Sequence, residues 1–550
     1  MRYSLAAATT TALLATSTLS LALPTASSLF NLQDSSLSVP AVAEKVFGSV
    51  GSWLGNAEKN VHDTVKGLKV SKLVQDGVDY DVLTHPDHPS YRLRVTSTSN
   101  SGTGTTMPHL CDPSVKMISG YLDVSETKHL FFWFFESRDK PKEDPLLLWL
   151  NGGPGCSSTT GLLFELGPCM ITSTSPDPSG PATSVNTTYN PHSWTNHANV
   201  LFLDQPVGVG YSYSDSGSVD NSPAAAEDVH AFLQLFTARY GKYRDNDLHI
   251  SGESYAGTYL PHIAHVIHSE NKKRSTSLAP LPKLNFKSVM IGNGLSEPAT
   301  QFASVPEYAC DSPYAVYKDP NGSECEGLRS KMARCEKLAE TCYRVNNKFV
   351  CVPATLSCWS GFGQLQDLGL NMYDTRKKCD RAEDKDGPLC YRQMGWIETY
   401  MNSPEVKKQL GAPADIEFKS CNMDINKSFL FKADVMHRSS DLLIPVIEDG
   451  IRVLIYAGVN DLMCNFIGNE HWVDKLETTY QAAFLNSTAT PFISSNKTEA
   501  GYVRSAGHGA GNIAFMAIYE AGHMVPQDQP LAALNMLDRW LNNEPLALGK

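Results

Sequence analysis

Beyond about residue 110 the chain gathers apolar residues into short runs separated by longer mixed stretches. Leu146–Leu150 and Val200–Leu203 contain no polar residue, the pattern of strands covered on both faces. Phe286–Ile291 and Val453–Tyr456 read as further apolar strands, each closed by glycine, and Ala514–Tyr519 as the last. Gly120–Val124 and Leu130–Phe135 predict a hairpin. A helix is expected from Ser222, with serine as N-cap, Pro223 at its first position, and Val229, Phe232, Leu233 and Phe236 on one face. Strands of this kind between helices predict an α/β fold whose active groups stand at strand ends.

The alternation fails in two places. Between 296 and 434 cysteines crowd in, and the stretch reads as an insertion stapled by its own bridges, a cap over the sheet edge. Residues 23–106 hold no cysteine and end in a Ser/Gly/Thr-rich stretch from Thr96 to Thr106. That segment fits a propeptide with a flexible junction or an ordinary N-terminal subdomain, and pro-segment logic favours the first. The expected organisation is a signal peptide over 1–22, a propeptide over 23–106, core over 107–295, cap over 296–434 and core again over 435–550.

Composition narrows the function. Within 550 residues the formal net charge is -12 and no basic stripe stands out, which argues against nucleic acid. Arg2, the apolar run from Leu5 to Ala22 and the small residues around Pro24 form a secretory signal, and no later stretch approaches the ~20 apolar residues of a membrane span. Sequons at Asn186, Asn321, Asn426, Asn486 and Asn496 are usable only in the secretory pathway. Thirteen cysteines in an oxidising lumen imply disulfides and one odd thiol. Lys272-Lys273-Arg274 reads as a solvated loop rather than a processing site.

The chemistry centres on Gly252-Glu253-Ser254-Tyr255-Ala256-Gly257, between an apolar run and a helix start. A serine among small residues on a strand-to-helix turn is a nucleophile elbow, where added Cβ atoms would clash. Upstream, Asn151-Gly152-Gly153-Pro154-Gly155 follows a strand, and its backbone N–H groups can turn toward a developing oxyanion, the second donor being the residue after the nucleophile, Tyr255. A serine hydroxyl needs a base, and the base an orienting acid. Asp461 follows Val453–Tyr456, and His523 follows the last strand, so the order serine, acid, histidine is satisfied. His508 precedes that strand, and Asp204 precedes the serine. No HExxH, zinc-type spacing or full GxGxxG occurs, so no metal or cofactor is expected.

With WLNGGPGCSS, FELGP (Phe164–Pro168), GESYAG, IGNG (Ile291–Gly294) and AGHMVP together, the chain resembles the serine carboxypeptidase family from about Gly120 onward, and its fungal branch most. The resemblance implies an α/β-hydrolase fold with a mostly parallel central sheet and a disulfide-rich cap. It implies Ser254, Asp461 and His523 as the triad and Gly153 and Tyr255 as oxyanion donors. Asn151, Gly152, Glu165 and Glu253 match the positions that hold a substrate's C-terminal carboxylate. Two carboxyls held close cannot both ionise cheaply, so one keeps a proton to donate, and the arrangement works best in acid.

Thr160, Phe164, Tyr391, Cys464 and Met524 match the pocket for the leaving residue, with Cys464 a free thiol. The family's bridges imply Cys156–Cys421, Cys310–Cys325, Cys335–Cys358, Cys342–Cys351 and Cys379–Cys390. Cys111 and Cys169 are left over, and a sixth bridge between them is our inference. The implied activity is release of C-terminal, bulky hydrophobic residues from peptides and proteins through an acyl-enzyme, with the propeptide as intramolecular inhibitor or chaperone. An acyltransferase or esterase on the same fold is the alternative. An acidic vacuolar lumen or the extracellular space is the expected location, although the propeptide lacks a Gln-Arg-Pro-Leu sorting sequence.

Overall fold

The computed structural model describes residues 65–547, apart from 76, 97–109, 175–183, 218, 274–279 and 383–384. The expected signal peptide, the propeptide through residue 64 and the 97–106 junction therefore lie outside the described residues. Besides two small two-stranded sheets, the described residues build a 14-stranded one. Six strands at its centre run parallel, in the spatial order Asn199–Leu203, Leu146–Leu150, Leu248–Glu253, Phe286–Gly292, Arg452–Gly458 and Ile513–Ile518. Lys128–Phe135 and Met117–Ser125 extend it antiparallel on one side, and Glu499–Ala506 with Thr490–Ile493 on the other.

Alternation along these strands explains their unbroken apolar runs. Leu146, Leu148 and Leu150 face one core together with Val289, Ile291, Val453 and Ile455. Leu147, Trp149, Met290, Leu454 and Tyr456 face the opposite core. Successive side chains point to opposite faces, so a strand covered on both sides needs an apolar residue at every position. Helices Ser222–Arg239 and Ala256–Lys272 pack with the first core, and Pro530–Leu541 with the second.

The N-cap expectation changes. Helix Ser222–Arg239 is capped by Asn221, whose side chain accepts from Ala224 N at 3.0 Å. Ser222 instead donates through its N and its Oγ to the Asp434 carboxylate, 212 residues away. The segment expected as propeptide also contributes strands Lys69–Gln75, Val78–Thr84 and Arg92–Thr96, and the last pairs antiparallel with Met117–Ser125. Leu83, Leu93 and Val95 are fully buried in the first core. The buried guanidinium of Arg94 pairs with the Asp123 carboxylate at 2.7 Å, and burial with no partner would leave either charge costly. The sheet thus continues through strands on the N-terminal side of residue 106.

The stretch 296–434 is mainly helical, dominated by Ser323–Val345 and Lys348–Ser360. Disulfides Cys335–Cys358 and Cys342–Cys351 lock those two helices together. Cys310–Cys325 and Cys379–Cys390 close shorter loops in the same stretch, Cys156–Cys421 ties it to the glycine-rich loop, and Cys111–Cys169 joins the segment before Met117 to the start of strand Cys169–Ser173. Cys464 is free and buried.

Candidate active site

The parallel strands bring their C-terminal ends to one edge, and Ser254, Asp461 and His523 lie on the turns and loops that follow three of them. Ser254 follows Leu248–Glu253 with φ +62°, a left-handed conformation that costs a non-glycine residue about 1–3 kcal/mol unless its surroundings enforce it. Here they do. Ser254 N donates to Gly292 O at 3.1 Å, while its carbonyl accepts from Gly257 N at 2.9 Å and Leu295 N at 3.0 Å. A Cβ on Gly252 would lie 2.3 Å from Leu150 O, and one on Gly257 2.5 Å from Leu295 N, which is why both flanks are glycine.

Asp461 and His523 are almost fully buried, and His523 Nδ1 lies 2.7 Å from Asp461 Oδ2. The Asp461 carboxylate also accepts from Met463 N, Cys464 N and Asn293 Nδ2, the last at 2.9 Å. Those donors fix the acid, and the acid fixes the imidazole with Nδ1 as donor, leaving Nε2 to take a proton. Tyr373 completes the seat: its carbonyl accepts from His523 N at 2.7 Å, and its ring lies 5.0 Å from the imidazole. Asn293 φ is +38°, and its Oδ1 accepts from Gly458 N, tying the neighbouring strand ends together. Asn293 and Tyr373 had no role assigned in the sequence reading, although an asparagine between two glycines after a strand is a visible signal of a shaped turn.

The glycine-rich loop presses against the elbow. A Cβ on Gly152 would stand 2.3 Å from Tyr255 N, and Gly153 has φ +106°, so side chains are excluded where the two loops meet. The decoys have other tasks. Asp204 accepts from Ser157 Oγ, Ser158 N and Tyr211 N, which shapes this loop. His508 is exposed on the turn entering Ile513–Ile518, at the end of the strand opposite His523.

Beside the serine, Asn151 Nδ2 donates to Glu253 Oε1 at 3.0 Å, and its Oδ1 accepts from Trp149 Nε1 and Gly161 N. Glu165 and Glu253 are both buried, and Asn151 Nδ2 reaches both, lying 3.5 Å from Glu165 Oε1. Burial pushes Glu165 up to about 7. Burial first, then the neighbouring Glu165, raises Glu253 well above the usual carboxyl range. One carboxyl therefore keeps its proton as a donor.

A cavity of about 380 Å³ joins these groups, with Ser254, His523, Asn151, Gly152, Gly153 and Glu253 in its wall. Thr160, Cys464 and Met524 also line it, whereas Phe164 and Tyr391 do not. Those two rings pack edge to face at 5.5 Å and are buried. The cap supplies wall that the sequence reading had left unassigned, including Thr355, Trp359, Met394, Met423 and Leu430. Asp461, Cys464 and His523 offer ligating atoms within 4.8 Å of one another, as a metal site would. Asp461 and His523 already engage each other, and burial pushes the Cys464 thiol well up, disfavouring the thiolate a metal requires.

Among the sequons, Asn186, Asn321, Asn486 and Asn496 are exposed. Asn426 departs from the expectation. It is half-buried in the cavity wall, and its Nδ2, the atom a glycan would occupy, donates to Gly153 O at 3.2 Å and Pro154 O at 3.3 Å.

Comparison with known proteins follows the same lines. The family model described as serine carboxypeptidase matches residues 108–543. "Carboxypeptidase Y" of Candida albicans is 42% identical over 479 residues, covering 86% of this chain and 81% of that protein. "Carboxypeptidase Y homolog A" of Uncinocarpus reesii is 42% identical over 492 residues, covering 87% and 83%. The crystal structure of a prohormone-processing carboxypeptidase from Saccharomyces cerevisiae superposes with a TM-score of 0.65 at 25% identity, covering 79% of this chain and 93% of that one.

Proposed function

The chain belongs to the serine carboxypeptidase family and is a serine-type carboxypeptidase, and on that premise we propose that it releases bulky hydrophobic C-terminal residues in acid through an acyl-enzyme. The observation that carries the reading is the buried Glu165–Glu253 pair with Asn151, directly beside Ser254. A protonated carboxyl and an amide N–H can donate to a terminal carboxylate without an arginine, and only while the proton is held. An esterase or acyltransferase would need no such clamp.

In this reading Ser254 Oγ attacks the last peptide carbonyl while His523 Nε2 takes its proton, and Asp461 steadies the imidazolium. The oxyanion lies between the N–H groups of Gly153 and Tyr255. His523 then gives the proton to the leaving amine, and a water molecule repeats the sequence to free the acyl-enzyme. Thr160, Cys464 and Met524 face the leaving residue, and the preference for apolar side chains follows from the apolar wall around it. The propeptide expected over residues 23–106 acts as the inhibitor and folding aid of a zymogen. The secretory signal and sequons suit a vacuolar lumen, or secretion as the second choice. No helix among the described residues is long and apolar enough to cross a membrane.

The test is release of leucine from an N-blocked Phe-Leu dipeptide by processed enzyme from pH 5 to 8. Release should be fastest in acid, and Ser254→Ala should lose ~10⁶-fold in kcat with folding intact. A Ser254→Ala enzyme of near-normal rate would overturn the assignment, and labelling of Ser254 by a phosphonylating inhibitor without leucine release at any pH would favour the acyltransferase.

A further inference from the structure

Helix Lys348–Ser360 has two unlike faces. Cys351, Ala354, Thr355 and Cys358 are buried, and both cysteines are bridged to the long helix Ser323–Val345. Phe349, Val352, Leu356 and Trp359 follow at intervals of three, four and three residues, and at 100° per residue they fall within an arc of roughly 80°. Trp359 lines the active-site cavity, whereas Leu356 is 50% and Phe349 80% exposed. Helix Met423–Lys432 packs beside this one and repeats the arrangement. Its Met423 and Leu430 reach the cavity, while Met423 is also 56% and Phe431 63% exposed. Large apolar side chains exposed together, and continuous with an active site, mark a surface meant to be covered.

We propose that this stripe binds apolar residues of a polypeptide substrate upstream of the scissile bond, so that extended peptides are preferred to dipeptides. The proposal rests on the carboxypeptidase reading above. If Asn151 and Glu253 hold the substrate's C-terminus inside the cavity, the rest of the substrate must leave on its N-terminal side, over the cap helices that form the wall. From Trp359 to Phe349 the helix rises ~15 Å at 1.5 Å per residue, the reach of roughly four to five extended substrate residues. The two disulfides prevent the helix from rolling, so the surface is rigid before substrate arrives. Lys348, at its far end, is the helix's single charged residue, so an apolar substrate segment meets no buried charge.

The experiment compares processed wild-type enzyme with Phe349→Ser/Leu356→Ser on three N-blocked substrates. These are Phe-Leu, a hexapeptide ending in Phe-Leu with upstream Leu and Val, and a hexapeptide with upstream Gly and Ser. Wild-type enzyme should favour the apolar hexapeptide over the Gly/Ser one by roughly tenfold in kcat/KM, about 1.4 kcal/mol. The double variant should lose that preference while cleaving the dipeptide at the wild-type rate, and Leu356→Met should keep most of it. Equal rates on both hexapeptides by wild-type enzyme overturn the proposal and leave the carboxypeptidase reading intact. Failure to cleave any substrate overturns both. If the double variant keeps the preference but loses binding to a synthetic peptide of residues 23–64, or to anionic vesicles, the surface serves that partner instead and the proposal falls.

Discussion

Glu165→Gln removes an ionisation while keeping the size and hydrogen-bonding reach of the side chain. Burial raises the Glu165 pKa from 4.5 to about 7, a difference of about 2.5 that amounts to ~3 kcal/mol. The folded chain therefore holds a proton between pH 4.5 and 7 that the unfolded chain has already released. With more protons bound in the folded state, stability falls as pH rises through this window, and the full cost is reached above about pH 7. Above that pH the new charge also faces the substrate carboxylate, so KM for a peptide should rise roughly tenfold per pH unit. An ester without a terminal carboxylate shares the triad but not the clamp. The ratio of kcat/KM for N-blocked Phe-Leu to that for a matched ester isolates the pair from His523. In wild-type enzyme the ratio should fall from pH 6 to 8, and in Glu165→Gln it should stay nearly level, with Tm also falling less over the same range. A level ratio in wild-type enzyme, or an unchanged fall in the variant, would refute the shared-proton clamp.

Three further outcomes follow from the packing. Removing residues 1–106 should destabilise the protein by several kcal/mol relative to removing 1–64, because each of the buried Leu83, Leu93 and Val95 contributes ~1.5–3 kcal/mol; thermal melting of the two truncations decides it. Glycopeptide mass spectrometry should find Asn426 bare while exposed sequons such as Asn486 carry glycan, and Asn426→Asp should disturb turnover through the lost donor to Gly153 O. Cys156→Ser/Cys421→Ser should cost ~5–6 kcal/mol by chain entropy, because the bridge spans 265 residues, as read by denaturant unfolding.

Much of the site was legible because elbow, glycine loop and strand ends are local signals. Apolar runs need only their own residues to declare a strand covered on both faces, and a small-flanked serine declares a turn too tight for side chains. The serine–acid–histidine order is likewise a property of the chain. The helix start at 222 was misplaced by one residue because its serine is drawn to Asp434, which no local pattern reveals. Composition alone also hid that residues 69–96, polar and cysteine-free as they read, send Leu83, Leu93 and Val95 into the common core.

The sequence by itself determined the parts: parallel strands, the elbow and its sharp φ, and the loops from which catalytic groups emerge, all set by periodicity and sterics within a few residues. Only the tertiary structure decided how those parts meet. It set Glu165 against Glu253, placed Asn293 on Asp461, packed Phe164 against Tyr391 outside the cavity lining, and brought the cap helices into its wall. Burial and charge coupling act through space between residues far apart in the chain, so the proton that the clamp depends on exists only once the fold has excluded water from both carboxyls.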